Sequence, residues 1–402
     1  MNGAPPVVAS PDGRAAWLVI LAGVSAALHV GKLAPALTAL RDALGMGLVE
    51  AGFLISLVQF AGMAAGLFIG LAADGMGLRR CMLLGLGILG LASMAGAFSR
   101  GAEALLWLRA LEGLGVLLVC LPAPGLIRRL VAPARMSKML GWWGAYMPTG
   151  TALALLLGPW VIGSWGWPFW WIVLGLFSLG VMAAVARWVP DVQGPTHSPR
   201  WNDLAARLRR TLAHAGPWLV ALTFAVYSAQ WMLVIGFLPT VYAHAGVGAQ
   251  LAGLLSAMVA AVNMGGNVAS GRYLARGVPA RRLLWIGFGA MAVGSVVAFA
   301  PAFDGAGLWV RFAAVCVFSG VGGLIPGTLF SLGVRVAPGE DTVSTTVGWM
   351  QQWSSLGQFA GPPVAAWLAS RVGDWSMTWC ITLACAAVGA MLAASLIRRP
   401  AS

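Results

Sequence analysis

Five ionisable side chains stand out in a chain of 402 residues that is only 9% charged. His29 and Lys32 lie three residues apart in ALHVGKLAPAL, and Arg109 and Glu112 three apart in WLRALEGLG, so each pair shares one face of a helix. Arg311, in LWVRFAAVC, is the fifth. A charge at bilayer depth costs at least ~2.5 kcal/mol, so each of these groups must face a wet cavity or a partner. Counted at ~1.5 Å per residue from the outer ends of their apolar runs, Lys32, Arg109 and Arg311 lie roughly 8–12 Å deep and can converge on one vestibule. Three cations against one carboxylate make a positive site, suited to a small carboxylate or similar oxyanion held by the Arg fork and the Lys point charge. Glu112 and His29 are the groups that could carry a proton through such a site. The plainer alternatives are that Arg109 pairs with Glu112, that Arg311 satisfies carbonyls of a neighbouring helix, and that His29 is hydrogen-bonded for structure.

The elements that must hold these groups follow from composition. Hydrophobic residues make up 59% of the chain, with 54 Gly and 20 Trp, more apolar surface than a protein in water could hide. Runs of the ~20 residues needed to cross a bilayer are expected at about 15–40, 49–72, 79–98, 103–128, 138–160, 168–188, 216–241, 249–271, 281–300, 306–333, 342–369 and 375–397. The fold class is therefore all-α membrane protein with twelve transmembrane helices. A formal charge of +13 would point to nucleic acid if the basic residues formed one solvated patch. Instead they gather in alternate short loops, as in Arg79-Arg80, Arg128-Arg129 and Arg281-Arg282. That bias predicts a multi-pass protein of a bacterial inner membrane with both termini cytoplasmic and the lipid bilayer, not nucleic acid, as its surroundings. The polar start of the chain does not read as a cleaved signal. Cys81, Cys120, Cys316, Cys380 and Cys385 all fall inside apolar runs without metal-ligand spacing and read as packing residues, so no metal or other cofactor is expected.

The longest break, Pro190–Pro217, separates six spans from six. It predicts an N-terminal six-helix bundle over 1–189, a cytoplasmic linker with a short surface helix over 190–215, and a C-terminal six-helix bundle over 216–402. The halves echo each other at a shift of about 200 residues. Trp17-Leu18-Val19 matches Trp218-Leu219-Val220, Trp107-x-Arg109 matches Trp309-x-Arg311, and Gly158-Pro159 matches Gly361-Pro362. Internal symmetry of this kind marks transporters built from repeats, with the site at the midplane where the repeats meet. Polar residues that would be expensive against lipid mark the expected interior. These are Gln59, Tyr146, Thr149, Tyr227, Gln230, Trp231, Asn263, Asn267, Gln351, Ser355 and Gln358. Tyr146, Tyr227, Gln230, Asn263 and Gln351 join Lys32, Arg109 and Arg311 as candidate solute-binding residues. Each could equally glue two helices together.

Gly70-Leu71-Ala72-Ala73-Asp74-Gly75-Met76-Gly77-Leu78-Arg79-Arg80 puts an acid and two cations in a tight turn between apolar runs. It resembles the loop signature of the major facilitator superfamily, G-x-x-x-D-x-x-G-R-R/K between the second and third helices. The resemblance covers essentially the whole chain and implies a fold of two six-helix pseudo-repeats, with helices 1, 4, 7 and 10 lining a central cavity. It also implies gating roles for Asp74, Arg79 and Arg80, which would latch one state of the transport cycle. ALALLLGPWVIG is similar to the fifth-helix Gly-Pro motif of proton-driven exporters, with Ala154 and Ile162 where that pattern prefers Gly. The wording of HVGKLAPALTALRDALGMGLVEAGFLISL, YMPTG and GLIPGTLFSL looks closest to the cyanate and nitroimidazole permease branch.

Other signals are rejected. GLGILG (Gly85–Gly90) fits the dinucleotide pattern but lies mid-span with no strand before it. No nucleophile with a base and an orienter is present, so the chain does not read as an enzyme. The expected function is a monomeric secondary transporter that moves a small anionic organic solute by alternating access, coupled to protons. The rival reading is a proton-driven exporter of drugs or metabolites, including siderophore-like compounds. A membrane sensor that keeps the fold is the third.

Overall fold

A computed structural model describes residues 13–64, 66, 77–132, 135, 139, 142–191, 201–303, 305–339 and 342–396. Among the described residues every regular element is a helix. Helix α1 (Arg14–Gly31) stops where Pro35 takes a donor out of the ladder. A 3-10 turn (Ala34–Ala36) follows, and α2 (Leu37–Leu44) completes the crossing before Gly45, at φ 64°, caps it. The carbonyl of Lys32, left over by the turn, accepts a hydrogen bond from Trp170 Nε1 at 3.3 Å. In lipid a freed backbone group needs such a partner. The first span thus runs to Leu44 and is bent, where about 15–40 was expected.

The second crossing also breaks. Helix α3 (Leu48–Ser56) passes into a 3-10 turn at Leu57–Gln59 before the helical path continues to Ala64. There follow α4 (Leu78–Gly96), α5 (Ala102–Cys120), α6 (Ala123–Leu130) and α7 (Tyr146–Trp188). At 43 residues, α7 would be about 65 Å long if straight, twice a bilayer's apolar thickness. It reverses instead at Gly166, whose φ of 83° suits glycine alone, so a Cβ on Gly158 would lie 3.8 Å from Trp170. The surface helix α8 (Trp201–Ala213) leads into α9 (Ala215–His244), α10 (Ala249–Ala275), α11 (Ala280–Phe299), α12 (Leu308–Gly322), α13 (Leu324–Arg335), α14 (Val343–Val372) and α15 (Thr378–Ser395). With α7 counted as two crossings, the arrangement is the expected twelve-helix one. Nine of the described helices are long and apolar enough to cross a membrane; of the other two crossings α3 is shorter and α14 less apolar. Large apolar side chains such as Leu91, Phe98, Trp107, Trp160 and Trp309 point outward, which suits lipid and not water.

The halves meet along two seams, α3 against α14 and α7 against α10. Toward the end away from the chain termini, each seam sets a glycine of one half against a Pro-containing segment of the other. A Cβ on Gly52 would stand 3.0 Å from the Cα of Pro363 and 3.1 Å from the Pro362 carbonyl. One on Gly253 would stand 2.4 Å from Pro159 Cγ and 2.6 Å from the Leu155 carbonyl. Both Gly-Pro motifs of the repeat are therefore contact surfaces. Deeper in the first seam, Phe53 and Phe60 flank Phe359 with ring centres 6.3 and 5.9 Å away.

Candidate functional site

Lys32 leaves the bent end of α1 and turns into the N-terminal half. Its Nζ donates to Ser93 Oγ on α4 at 2.9 Å and to Glu112 Oε1 on α5, sits 3.3 Å from His29 Nδ1, and lies 4.6 Å from the centre of the Trp171 ring. Arg109 Nη1 donates to the other oxygen of Glu112 at 2.6 Å and to the His29 carbonyl at 2.6 Å. Its Nη2 reaches the Val30 carbonyl at 3.3 Å and its Nε the Leu54 carbonyl on α3 at 3.2 Å. His29 Nε2 lies 2.8 Å from Ser178 Oγ on α7, which is 2.9 Å from Ser25 Oγ. All four ionisable side chains are at most 2% exposed. One carboxylate thus serves two cations, and the group carries a net charge of +1 when Lys32, Arg109 and Glu112 are all ionised. Burial on this scale is tolerated because each charge has a partner and most of the remaining donors an acceptor.

Arg311 does not join them. It stands half-buried on α12, where Nη2 donates to the Phe303 carbonyl at 3.1 Å and closes the loop that follows α11. The expected vestibule of three convergent cations is accordingly not formed. Lys32 and Arg109 point into the core of their own half toward α4, α5 and α7, because Glu112, one turn along α5, is the nearest compensating charge.

The C-terminal half holds uncharged groups. Asn263 Nδ2 donates to Tyr227 Oη at 3.0 Å and to the Ser319 carbonyl at 2.8 Å, while Asn267 Nδ2 donates to Asn263 Oδ1 at 3.0 Å. Trp231 Nε1 donates to Ser319 Oγ at 3.2 Å, and the Ser228 and Ser354 hydroxyls lie 2.7 Å apart. Gln230 is fully buried on α9, and neither end of its amide has a hydrogen-bond partner among the described residues. Tyr146 stacks on Trp143 at 4.2 Å near the start of α7. On the α3–α14 seam Gln59 Nε2 donates to Gln358 Oε1 at 3.0 Å and Gln352 Nε2 to the Met63 carbonyl at 2.8 Å, with Gln351 half-buried beside them. Thr149 reaches across the other seam to Met264 Sδ at 4.0 Å. Arg79 donates to the Ala186 carbonyl, and Arg80 lies 3.7 Å from Asp191 in an exposed pair. Asp74 lies outside the described residues.

Sequence reasoning missed Ser25, Ser93 and Ser178, which complete the charged cluster, and Gln352, which crosses the seam next to the expected Gln351. A serine in an apolar run carries no signal, and neighbouring glutamines differ by ~100° of helix azimuth that no motif fixed.

A family model described as Major Facilitator Superfamily matches residues 19–362. The chain belongs to the major facilitator superfamily. The superfamily is one of multi-pass membrane transporters and not of enzymes. Among superfamily relatives, the methyl viologen resistance protein SmvA of Salmonella typhimurium strain LT2 is 31% identical over 207 residues, 51% of this chain and 39% of that protein. The chain thus spans about two fifths of that relative's length. Monocarboxylate transporter 11 of Mus musculus is 27% identical over 403 residues, 94% of this chain and 86% of that protein. A bacterial homolog of the human lysosomal transporter Spinster, in an inward-facing and occupied conformation, superposes with a TM-score of 0.77 at 14% identity, covering 98% of both chains. That likeness places the fold. None of these matches bears on the cyanate and nitroimidazole branch.

Proposed function

We propose that this protein carries a small organic acid across the bacterial cytoplasmic membrane by alternating access, driven by protons. The observation that carries the reading is the sharing of Glu112 by Lys32 and Arg109 in a fully buried cluster. Protonating Glu112 would remove the one carboxylate that compensates two cations and raise the core of the N-terminal half from +1 to +2. In a low dielectric that change is large, and it favours entry of an anionic solute alongside the proton. His29, beside both Lys32 and Glu112, is the group placed to pass the proton on. The solute path is the inter-half region bordered by Tyr146, Tyr227, Asn263 and Gln351, with Gln230 behind it. In this reading residues 1–189 and 216–402 rock as two bundles about the 190–215 linker, and Asp74, Arg79 and Arg80 latch the loop at the end where both termini lie, in the cytoplasm. The protein works as a monomer.

The test is uptake of monocarboxylates, from lactate to 4-hydroxybenzoate, into proteoliposomes holding a pH-sensitive dye, against protein-free vesicles. The expected result is acid entry with internal acidification, abolished in Glu112→Gln. Absence of coupled acidification with any acid overturns the reading. A second reading, export of drugs or metabolites, is supported by the likeness to SmvA and by the Gly158-Pro159 motif. Failure of every acid to compete, with transport of methyl viologen instead, would favour it.

A further inference from the structure

We infer that Arg109 is a positioning residue that ties the charge state of Glu112 to a hinge in the second crossing, the Leu57–Gln59 3-10 turn, and through it to the α3–α14 seam. The inference rests on the proton-coupled reading above. A 3-10 stretch in the middle of a transmembrane helix is a weak point, because its hydrogen bonds are poorly aligned and any carbonyl it frees needs another donor. Here the Leu54 carbonyl, one turn before the break, takes Arg109 Nε at 3.2 Å. Ser56 Oγ competes locally by donating to the Phe53 carbonyl at 3.1 Å. Gly113, one residue past Glu112, lets α5 press on the turn itself, since a Cβ there would sit 2.5 Å from the Val58 carbonyl.

The far face of the same segment is the seam. Gly52 and Phe53 touch α14 before the turn; Gln59, Phe60, Gly62 and Met63 touch it within and after. One guanidinium therefore holds the carboxylate, the backbone of α1 at His29 and Val30, and the hinge of the helix that closes the seam. Glu112 is faced by Lys32 and His29 from α1 and by Arg109 from its own helix, with the neutral Ser93, Ser178 and Trp171 completing the surroundings. When the carboxylate takes a proton, Arg109 loses the counter-charge that fixes its Nη1. The guanidinium then swings toward the His29 and Val30 carbonyls and off the Leu54 carbonyl, and the hinge it pins relaxes.

Hydrogen–deuterium exchange of the full chain in liposomes, read over 48–64 and corrected for the intrinsic pH effect, tests this without a solute. Wild-type protection at the hinge is expected to fall as pH is lowered. In Glu112→Gln it should be low at every pH, by at least about tenfold, the worth of one charged hydrogen bond. Arg109→Lys keeps the charge and loses the fork, and should show the same pH-independent low protection. Gly113→Ala, which pushes α5 off the turn, should do so as well with all the charged side chains kept. Lys32→Met removes charge without touching the hinge and should keep wild-type protection at high pH. Wild-type protection in both Arg109→Lys and Gly113→Ala overturns the inference. So does a hinge indifferent to pH in a protein whose acid uptake still depends on Glu112, and that outcome leaves the transport reading standing.

Discussion

In the N-terminal half Arg109 is buried, bonded to Glu112 and to three backbone carbonyls. In the C-terminal half the residue at the matching place in the repeat, Arg311, is half-buried and bonded to the carbonyl of a loop. The same contrast holds for His29, which has a serine on one nitrogen and Lys32 on the other, and Gln230, its counterpart at the Trp17-to-Trp218 shift, which is buried with no described partner. A duplicated scaffold has kept its outward features: Trp107 and Trp309 are both exposed, and both Gly-Pro motifs sit on the seams. Its two interiors have diverged, one into a satisfied charge cluster and the other into a neutral hydrogen-bonding core. Packing constrains a helix surface wherever the partner helix is retained, whereas a buried charge survives only where its counter-charge does.

The sharpest way to break this contrast is to remove the shared carboxylate. Glu112→Leu leaves two buried cations uncompensated and is expected to cost about 3–5 kcal/mol, seen as a large fall in thermal stability. Adding Lys32→Met should recover a substantial part of the loss, because the pair is coupled. A single variant as stable as wild type would mean the cluster is hydrated and the burial argument fails.

The seams test whether the halves close as equals. Gly253→Val sets new atoms against Pro159 and the Leu155 carbonyl, and Gly52→Val sets them against Pro362 and Pro363. Overpacking of this kind costs roughly 1–3 kcal/mol, here by penalising the conformation closed at the end away from the termini. Both variants should raise labelling of an Ile55→Cys reporter by an impermeant maleimide, Gly253→Val more, since its contacts are closer. Labelling that rises for one and not the other would show that only one seam controls that end.

How much of this was readable from the residues alone differs between fold and site. Run lengths are written in composition, because a bilayer imposes its thickness on any helix, whereas the break at Pro35 falls inside a span expected to be continuous. The five odd ionisable groups were equally visible. The Arg109–Glu112 pair was among the alternatives their spacing offered, but the sharing of Glu112 with Lys32 was not. Depth counted from span ends places Lys32, Arg109 and Arg311 at similar heights, yet says nothing of azimuth, and azimuth decided that two of them turn into their own half. Nor does Ser178, far along the chain on α7, announce that it will meet His29.

An effect no larger than that at the seams is expected from the interior pair. His29→Leu strands Ser178 and Lys32 donors and should cost about 1–3 kcal/mol, whereas Gln230→Leu removes two unsatisfied amide atoms and should be neutral or stabilising. Thermal melts of the two variants settle it, and a Gln230→Leu that melts well below wild type would mean that its amide is bonded in the folded protein.

The smallest effect is expected at Arg311. Arg311→Gln gives up a charged hydrogen bond to the Phe303 carbonyl at a half-buried position, where screening lowers its value, and about 1 kcal/mol is the expected loss. Arg109→Gln, by contrast, abandons the Leu54, His29 and Val30 carbonyls and leaves Glu112 to Lys32 alone, so it should cost several-fold more. Measuring both in one background turns the contrast between the halves into a ratio. A ratio near one, or an Arg311→Gln protein that is fully stable yet unable to take up any acid, would return a charge-based site to the C-terminal half. The repeat would then have kept its chemistry along with its scaffold.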